Sequence, residues 1–382
     1  MKKILFIGDN WFGDLGGRKK IVLALMNFLI NDYNIYLLTI DTKIKKESIK
    51  DFKKDLEEDI NIYPYFFPRN VFFYFKLLIL FGIKILKIRP NLIISFGGGP
   101  HSNANFFYIS KIFAPKSKII FIEQGNTRHL FNKQNLIVKL LTKIAFKSVD
   151  KIITAGEGVA EDVKNLFNLR NNQVTFVYNF VDFEKIKNLS LEAIEEKIFA
   201  DKFKPIILAV NRLDLYQKDI LTLLNAFSVV AQNVDAYLVI IGEGPDRVKV
   251  ENKIKELNLE SKVFLLGHKN NPYKYMKNSD VFVLSSFHEG MPIVLIEAMV
   301  CNLPVVATDC DFGPREIIKD GHNGFLVKVG DYETMAKKII ELIKHKELIR
   351  KFVENSFSIL PYFSSNYALE KYKEIINSVM TQ

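Results

Sequence analysis

Two glutamates, Glu289 and Glu297, stand in the segment Ser285-Ser286-Phe287-His288-Glu289-Gly290-Met291-Pro292-Ile293-Val294-Leu295-Ile296-Glu297-Ala298-Met299. Pro292 suits the first position of a helix, where the N–H it lacks has no intrahelical partner anyway. Gly290 and Met291 then lie at an amide-rich helix N-terminus, and Glu297 one to two turns inside. The two carboxylates differ in task. Glu289, in the loop, can accept hydrogen bonds from a sugar's hydroxyls, whereas Glu297 can take both hydroxyls of a ribose, because both oxygens of a carboxylate accept. A structural helix carboxylate is the competing reading of Glu297.

Upstream, Val210-Asn211-Arg212-Leu213 closes a β-like run, and Lys218 follows six residues after Arg212. An arginine leaving a strand and a lysine near the next helix would both reach the carboxyl edge of a parallel sheet, where open α/β folds bind ligands. Together they suit a diphosphate, the guanidinium as a fork and the ammonium as a point charge. Ordinary solvated charge is the alternative for an isolated pair. Near the start, Gly16 and Gly17 end the loop from Asp9 and precede an apolar helix from about Arg18 to Ile30. Glycines there let backbone N–H groups approach an anion, or serve turn geometry alone. The loop matches neither G-x-G-x-x-G nor G-x-x-x-x-G-K-[ST], which removes the dinucleotide and P-loop readings.

Elements that could position these residues alternate along the chain. β-branched runs at Lys3–Gly8, Asn34–Thr39, Leu92–Phe96, Lys118–Glu123, Lys151–Ala155 and Val174–Tyr178 are separated by helix-like stretches. The pattern restarts with Pro205–Val210, Ala236–Gly242, Lys262–Leu266, Asp280–Ser285, Pro304–Thr308 and Gly324–Val327, interleaved with helices such as Asp219–Val230 and Asp246–Leu257. Two consecutive βα series of this kind predict two doubly wound α/β domains in 382 residues, and hence a cleft. Asp182–Lys204, charged and without a strand signal, reads as the linker region. Asn366–Met380 reads as a helix without a strand partner that crosses back to the first domain.

Composition narrows the classes. Hydrophobic residues at 48% and charged residues at 25% are globular values. Two cysteines, Cys301 and Cys310, with six scattered histidines, support neither a disulfide framework nor a zinc site, and fit a reducing compartment. The apolar run Ile4–Ile7 is too short for a signal segment, and Val71–Ile88 is interrupted by Lys76, Lys84 and Lys87, so no spanning helix is predicted. Residues 1–182 hold 27 Lys and Arg against 16 Asp and Glu, and residues 183–382 hold 26 against 27, so the excess of +10 lies in the first half. That half should meet an anionic partner, unless its lysines only reflect genome composition. Within Arg128–Lys147, Lys139, Lys143 and Lys147 share a helix face, with Leu136, Leu140 and Ile144 around the rest. This pattern suits an anionic membrane surface. A crossover helix with its apolar side on the sheet and lysines in solvent would read the same.

With these residues in order, the chain resembles the retaining glycosyltransferases of family 4. The resemblance runs from Gly16-Gly17 through Arg212 and Lys218 to Glu289 and Glu297, then Ala298-Met299 and Leu303-Pro304-Val305-Val306-Ala307-Thr308-Asp309. It implies a GT-B fold, two Rossmann-like doubly wound domains facing a cleft. Residues 1–182 would bind the acceptor, with 362–382 packing back on them, and 203–361 the nucleotide sugar. It also implies roles: Arg212 and Lys218 on the diphosphate, Glu289 with the Gly290, Met291 and Pro292 backbone on the transferred sugar, Glu297 on the ribose. Gly267, His268 and Lys269 would face the base through their backbone. His101, in Gly97-Gly98-Gly99-Pro100-His101, is the nearest match to the family's first-domain histidine, and Glu123-Gln124-Gly125-Asn126 occupies another cleft loop. Asn211 departs from the glycine or serine common before the arginine. Asp311–Ile318 resembles a G-P-x-E variant of members that build bacterial surface glycans.

The activity so implied is retaining transfer of a hexose or N-acetylhexosamine from a nucleotide-diphospho-sugar, a UDP-sugar foremost. With no DxD-like metal motif in a suitable loop, and Arg212 plus Lys218 able to replace a metal, the transfer is expected to be metal-independent and to need no cofactor. The acceptor would be a polyprenyl-linked or cell-surface glycan, at the inner face of the cytoplasmic membrane. No nucleic-acid motif appears. A nucleotide-sugar epimerase on the same fold and a non-catalytic polyanion-binding protein are the alternatives.

Overall fold

Apolar residues at successive positions become strands buried on both faces, as parallel sheets require. The computed structural model describes residues 1–9, 17–41, 56–57, 59–66, 73–125, 127–200 and 204–381. In the first sheet, β1 (Lys3–Asp9), β2 (Asn34–Asp41), β3 (Asn61–Phe66), β4 (Leu92–Phe96), β5 (Lys118–Glu123), β6 (Lys151–Thr154) and β7 (Val174–Phe176) lie in the order β3-β2-β1-β4-β5-β6-β7. Every neighbouring pair is parallel. The second contains β8 (Ile206–Val210), β9 (Tyr237–Ile241), β10 (Val263–Leu265), β11 (Val281–Leu284), β12 (Val305–Thr308) and β13 (Phe325–Val327), ordered β10-β9-β8-β11-β12-β13 and again parallel.

The twelve strands predicted from sequence are all present, and β3 is an addition. Its Asn-Ile-Tyr-Pro-Tyr-Phe run contains Pro64, which argues against a central strand but is tolerated at a sheet edge, where β3 lies. Asp182–Lys204 is not a plain linker. Helix Phe183–Ser190 forms there, with Asp182 accepting from the Lys185 N–H at 3.0 Å, and packs on helices Tyr273–Lys277 and Ile293–Val300.

The chain divides into two compact units, one of Met1–Asn179 with Asn366 onward, the other Phe180–Ser365. Helix Ser365–Thr381 joins the first unit through polar contacts: Tyr33 donates to Asn377 Oδ1 at 2.5 Å, and the Lys373 ammonium lies 2.6 Å from the Asp32 carboxylate.

Two features of the topology matter for function. Strand order reverses between β1 and β4 in the first sheet and between β8 and β11 in the second, opening a crevice at each carboxyl edge. The connections β3 to β4, β4 to β5 and β5 to β6 all advance one way across the sheet, so right-handed crossovers set helices Phe73–Ile88, Pro100–Phe113 and Leu136–Ser148 in one layer. The first packs on the second and the second on the third. No helix among the described residues is long and apolar enough to cross a membrane.

Candidate active site

The second unit's switch point is built from the loops that leave β8 and β11. They are stitched together: the Asp219 N–H donates to the Ser285 carbonyl at 3.0 Å, Ser285 Oγ to the Asp219 carbonyl at 2.6 Å, and the Phe287 N–H to the Gln217 carbonyl at 2.9 Å. Asp219 also caps helix Ile220–Asn233 by accepting from the Thr222 N–H. Lys218 is therefore fixed between a capped helix and the β11 loop. Its ammonium forms an ion pair with Glu289 Oε1, which also accepts from Ser286 Oγ at 2.8 Å. The Lys218 and Glu289 side chains are only 13% and 7% exposed. A paired, hydrogen-bonded arrangement is how two charges survive such burial. Their field extends to Cys310, whose thiol is pushed up to about 12 by burial and then by the Glu289 charge.

Arg212 stands apart. Its side chain is 68% exposed, and its Nη2 lies 3.8 Å from Asp214 Oδ2. The preceding Asn211 is buried, yet neither polar atom of its amide finds a partner among the described residues. A buried amide in that state is costly unless something completes it, and the chemistry of a donor and an acceptor at a strand end fits a polar ligand. The backbone here is tightly held. A Cβ at Gly242, where φ is +142°, would lie 1.8 Å from the Asn211 carbonyl oxygen.

Glu297 lies inside helix Ile293–Val300, which starts one residue after Pro292. It is buried, and Tyr273 donates its hydroxyl to Oε1 at 2.9 Å. Burial, then the Glu297 charge, raises the Tyr273 phenol far above its ordinary value, so it stays a donor. The Gly290, Met291 and Pro292 turn before this helix is pressed by the loop after β12: a Cβ at Gly313, where φ is +85°, would meet the Gly290 carbonyl oxygen at 2.4 Å and Pro292 Cδ at 2.5 Å. Met291 and Pro292 are buried. Gly267 follows β10, two strands from β8, and its carbonyl accepts from the Gly242 N–H at 2.9 Å; His268 is exposed. The Lys269 ammonium is 2.6 Å from Glu196, and that bond raises its pKa above the ordinary value.

The first unit has its own polar cluster at the β1 and β4 switch point. Asp9, ending β1, accepts from the Gly98 N–H at 2.6 Å and from Ser102 Oγ at 2.8 Å. Asn103, fully buried, accepts from the Gly97 N–H at 2.7 Å and Ser95 Oγ at 2.6 Å and donates to Glu123 Oε1 at 2.5 Å. Thr127 Oγ1 donates to Glu123 Oε2 at 2.9 Å. His101 stands half-buried in the first turn of helix Pro100–Phe113, and Gly17 opens helix Gly17–Leu29. Gly16 and Asn126 lie outside the described residues. Sequence reasoning singled out Glu123 and His101 but not the partners of Glu123 or the role of Asp9. The available signal was Ser102 and Asn103 in the first turn of a helix that becomes apolar from Phe106, polar residues that a buried helix keeps only when bonded.

A family model described as "Glycosyl transferases group 1" matches residues 190–358. Over 345 residues the chain is 31% identical to the N-acetylgalactosamine-N,N'-diacetylbacillosaminyl-diphospho-undecaprenol 4-alpha-N-acetylgalactosaminyltransferase of Campylobacter jejuni, covering 89% of this chain and 90% of that protein. The chain belongs to the group 1 glycosyltransferases. It is also 26% identical to the amylovoran biosynthesis glycosyltransferase AmsD of Erwinia amylovora, over 99% of this chain and all of that one. The solved structure of Anabaena HepE in complex with UDP superposes with a TM-score of 0.80 at 18% identity, over 98% of this chain and 100% of that chain, and the fold is GT-B. The matched range of this group 1 glycosyltransferase contains Arg212, Lys218, Gly267 to Lys269, Glu289 to Pro292 and Glu297. A buried ammonium, an exposed guanidinium and two differently held carboxylates at one sheet edge can bind a diphosphate and hydroxyl groups together.

Proposed function

We propose that this glycosyltransferase moves a hexose or N-acetylhexosamine from a UDP-sugar to a lipid-linked or polysaccharide acceptor, with retention at the anomeric carbon and without a metal. The observation that carries the reading is the buried Lys218 and Glu289 pair, beside exposed Arg212 at the second unit's switch point. The UDP held by HepE supports the donor, and the undecaprenol-linked and amylovoran roles in the relatives' names support the acceptor class.

In this reading the bond between the anomeric carbon and the diphosphate oxygen breaks while the acceptor oxygen bonds to the same face. The acceptor's proton passes to the departing diphosphate. Charge grows on the leaving group as the bond stretches, and Arg212, Lys218 and the amides of Gly290 to Pro292 favour that charge over the ground state. Lys218 and Ser286 both bond Glu289 Oε1, which leaves Oε2 for a hydroxyl of the transferred sugar. Glu297, oriented by Tyr273, takes the ribose. The first unit's Asp9, Asn103 and Glu123 cluster shapes the acceptor side.

The test is a panel of nucleotide sugars in thermal shift, followed by transfer with the best one. At least one UDP-sugar should raise the melting temperature, through a mass-action stabilisation of about 2.7 kcal/mol at a hundredfold excess over Kd. Transfer should persist with chelator, and the product should keep the donor's anomeric configuration. A panel without any shift, or activity abolished by chelator and restored by a divalent cation, would overturn the donor or the metal-free part respectively.

A further inference from the structure

Helix Leu136–Ser148 of the first unit carries most of its apolar side chains outward. Only Thr142, Ala145 and Phe146 are buried. Leu136, Ile137 and Leu140 are 81%, 73% and 60% exposed, and Leu141 and Ile144 are exposed as well. This is the reverse of a crossover helix that seats its apolar stripe on the sheet. At 100° per residue, Leu136, Leu140, Ile144 and Lys147 occupy one outward strip, with Lys143 and then Lys139 along its border. Phe73–Ile88, in the same layer, repeats the device: Ile79, Ile83 and Leu86 are exposed at helical spacing, with exposed Lys76 and Lys87 at the ends. Between the two, Pro100–Phe113 exposes Ile112.

We propose that this three-helix layer docks the protein on an anionic membrane surface. Scattered exposed apolar residues need no explanation, but aligned ones on adjoining helices of one layer form a patch, and patches of that kind mark interaction sites. Charge selects the occupant. The apolar strips are edged by lysines, and the first half of the chain holds the whole positive excess. Apolar groups entering the headgroup boundary beneath a rim of cations is how a helix lies in an interface without spanning it. The layer is also well placed. Leu136–Ser148 follows β5 and returns toward the start of β6, so its most exposed end lies at the carboxyl edge, the edge of Glu123 and Thr127. An acceptor carried on a lipid would meet the first unit there. The proposal concerns this surface alone and does not depend on the donor.

The experiment sediments the full chain with vesicles of phosphatidylglycerol and phosphatidylethanolamine, or of phosphatidylcholine only, at low and high salt. The wild type should pellet with the anionic vesicles at low salt and be largely released at high salt, since surface charge is screened. Changing Lys139, Lys143 and Lys147 together to Gln should weaken binding on the order of a hundredfold, from about fivefold for each lysine near an anionic leaflet. Changing Leu136, Ile137 and Leu140 to Ser should weaken it at least about tenfold. All six side chains lie outside the buried core, and circular dichroism and thermal melting of each variant check that it is folded. Equal recovery in the supernatant under every condition would overturn the proposal. So would a wild type that ignores vesicles but sediments at equilibrium as a dimer that the Ser variants dissociate, because a second copy would then own the face.

Discussion

Lys218 and Arg212 are both cations beside one strand end, yet burial separates their consequences. Lys218→Ala leaves Glu289 buried without its partner, which should cost about 3–5 kcal/mol of stability along with turnover. Arg212→Ala removes an exposed side chain, so stability should stay within about 0.5 kcal/mol while turnover falls tenfold or more, beyond any rise in the donor KM. Melting curves and steady-state kinetics on the two variants separate them. Equal stability loss in both, or undiminished turnover in Arg212→Ala, would contradict the assignment. The residue types were legible from sequence: a loop carboxylate, a helix carboxylate and two cations at fixed spacing suited hydroxyl groups and a diphosphate. Their contact was not. The pair joining Lys218 to Glu289 spans 71 residues and exists because β8 and β11 are neighbours across the switch point, which spacing along the chain does not reveal. Tyr273, 24 residues from the Glu297 it bonds, was hidden in the same way, whereas Ser286 lies only three residues from Glu289 and was within reach of the sequence.

Among the elements, the loops at the second sheet's carboxyl edge are held by close backbone approach, and this gives a sharp test. Gly313→Ala adds both the penalty of a positive φ and a collision with the Gly290 and Pro292 turn. Gly321→Ala has a similar φ of +68° but open space around its Cβ, so it carries the φ penalty alone, about 1–2 kcal/mol. Gly313→Ala should therefore be the less stable of the two and should raise the donor KM, while Gly321→Ala leaves KM alone. Matching KM values in the two variants would show that the turn before helix Ile293–Val300 does not meet the donor. Strands were the best-read elements, because runs of Ile, Val, Leu and Phe at successive positions have little alternative but a two-sided sheet. β3 was hidden by Pro64, and helix Phe183–Ser190 by its brevity and charge, with only Ile186 and Ser190 buried.

For the molecule as a whole, the two βα series predicted the two sheets, and the unpartnered last helix predicted a return to the first unit, where Lys373 and Asn377 now hold it to Asp32 and Tyr33. Which way the apolar side of Leu136–Ser148 turns was not legible, since periodicity gives a stripe and not its direction. The charge asymmetry and that outward stripe belong to the first unit, and the donor site proposed for this glycosyltransferase belongs to the second. It is tested most directly by titrating UDP into the wild type and into Glu297→Ala in a calorimeter, with circular dichroism to confirm that the variant is folded. Loss of charged hydrogen bonds to the ribose should cost about 1–3 kcal/mol, a Kd raised roughly fivefold to more than a hundredfold. A wild type that binds UDP no more tightly than the folded Glu297→Ala variant would contradict a donor site at the second unit's switch point.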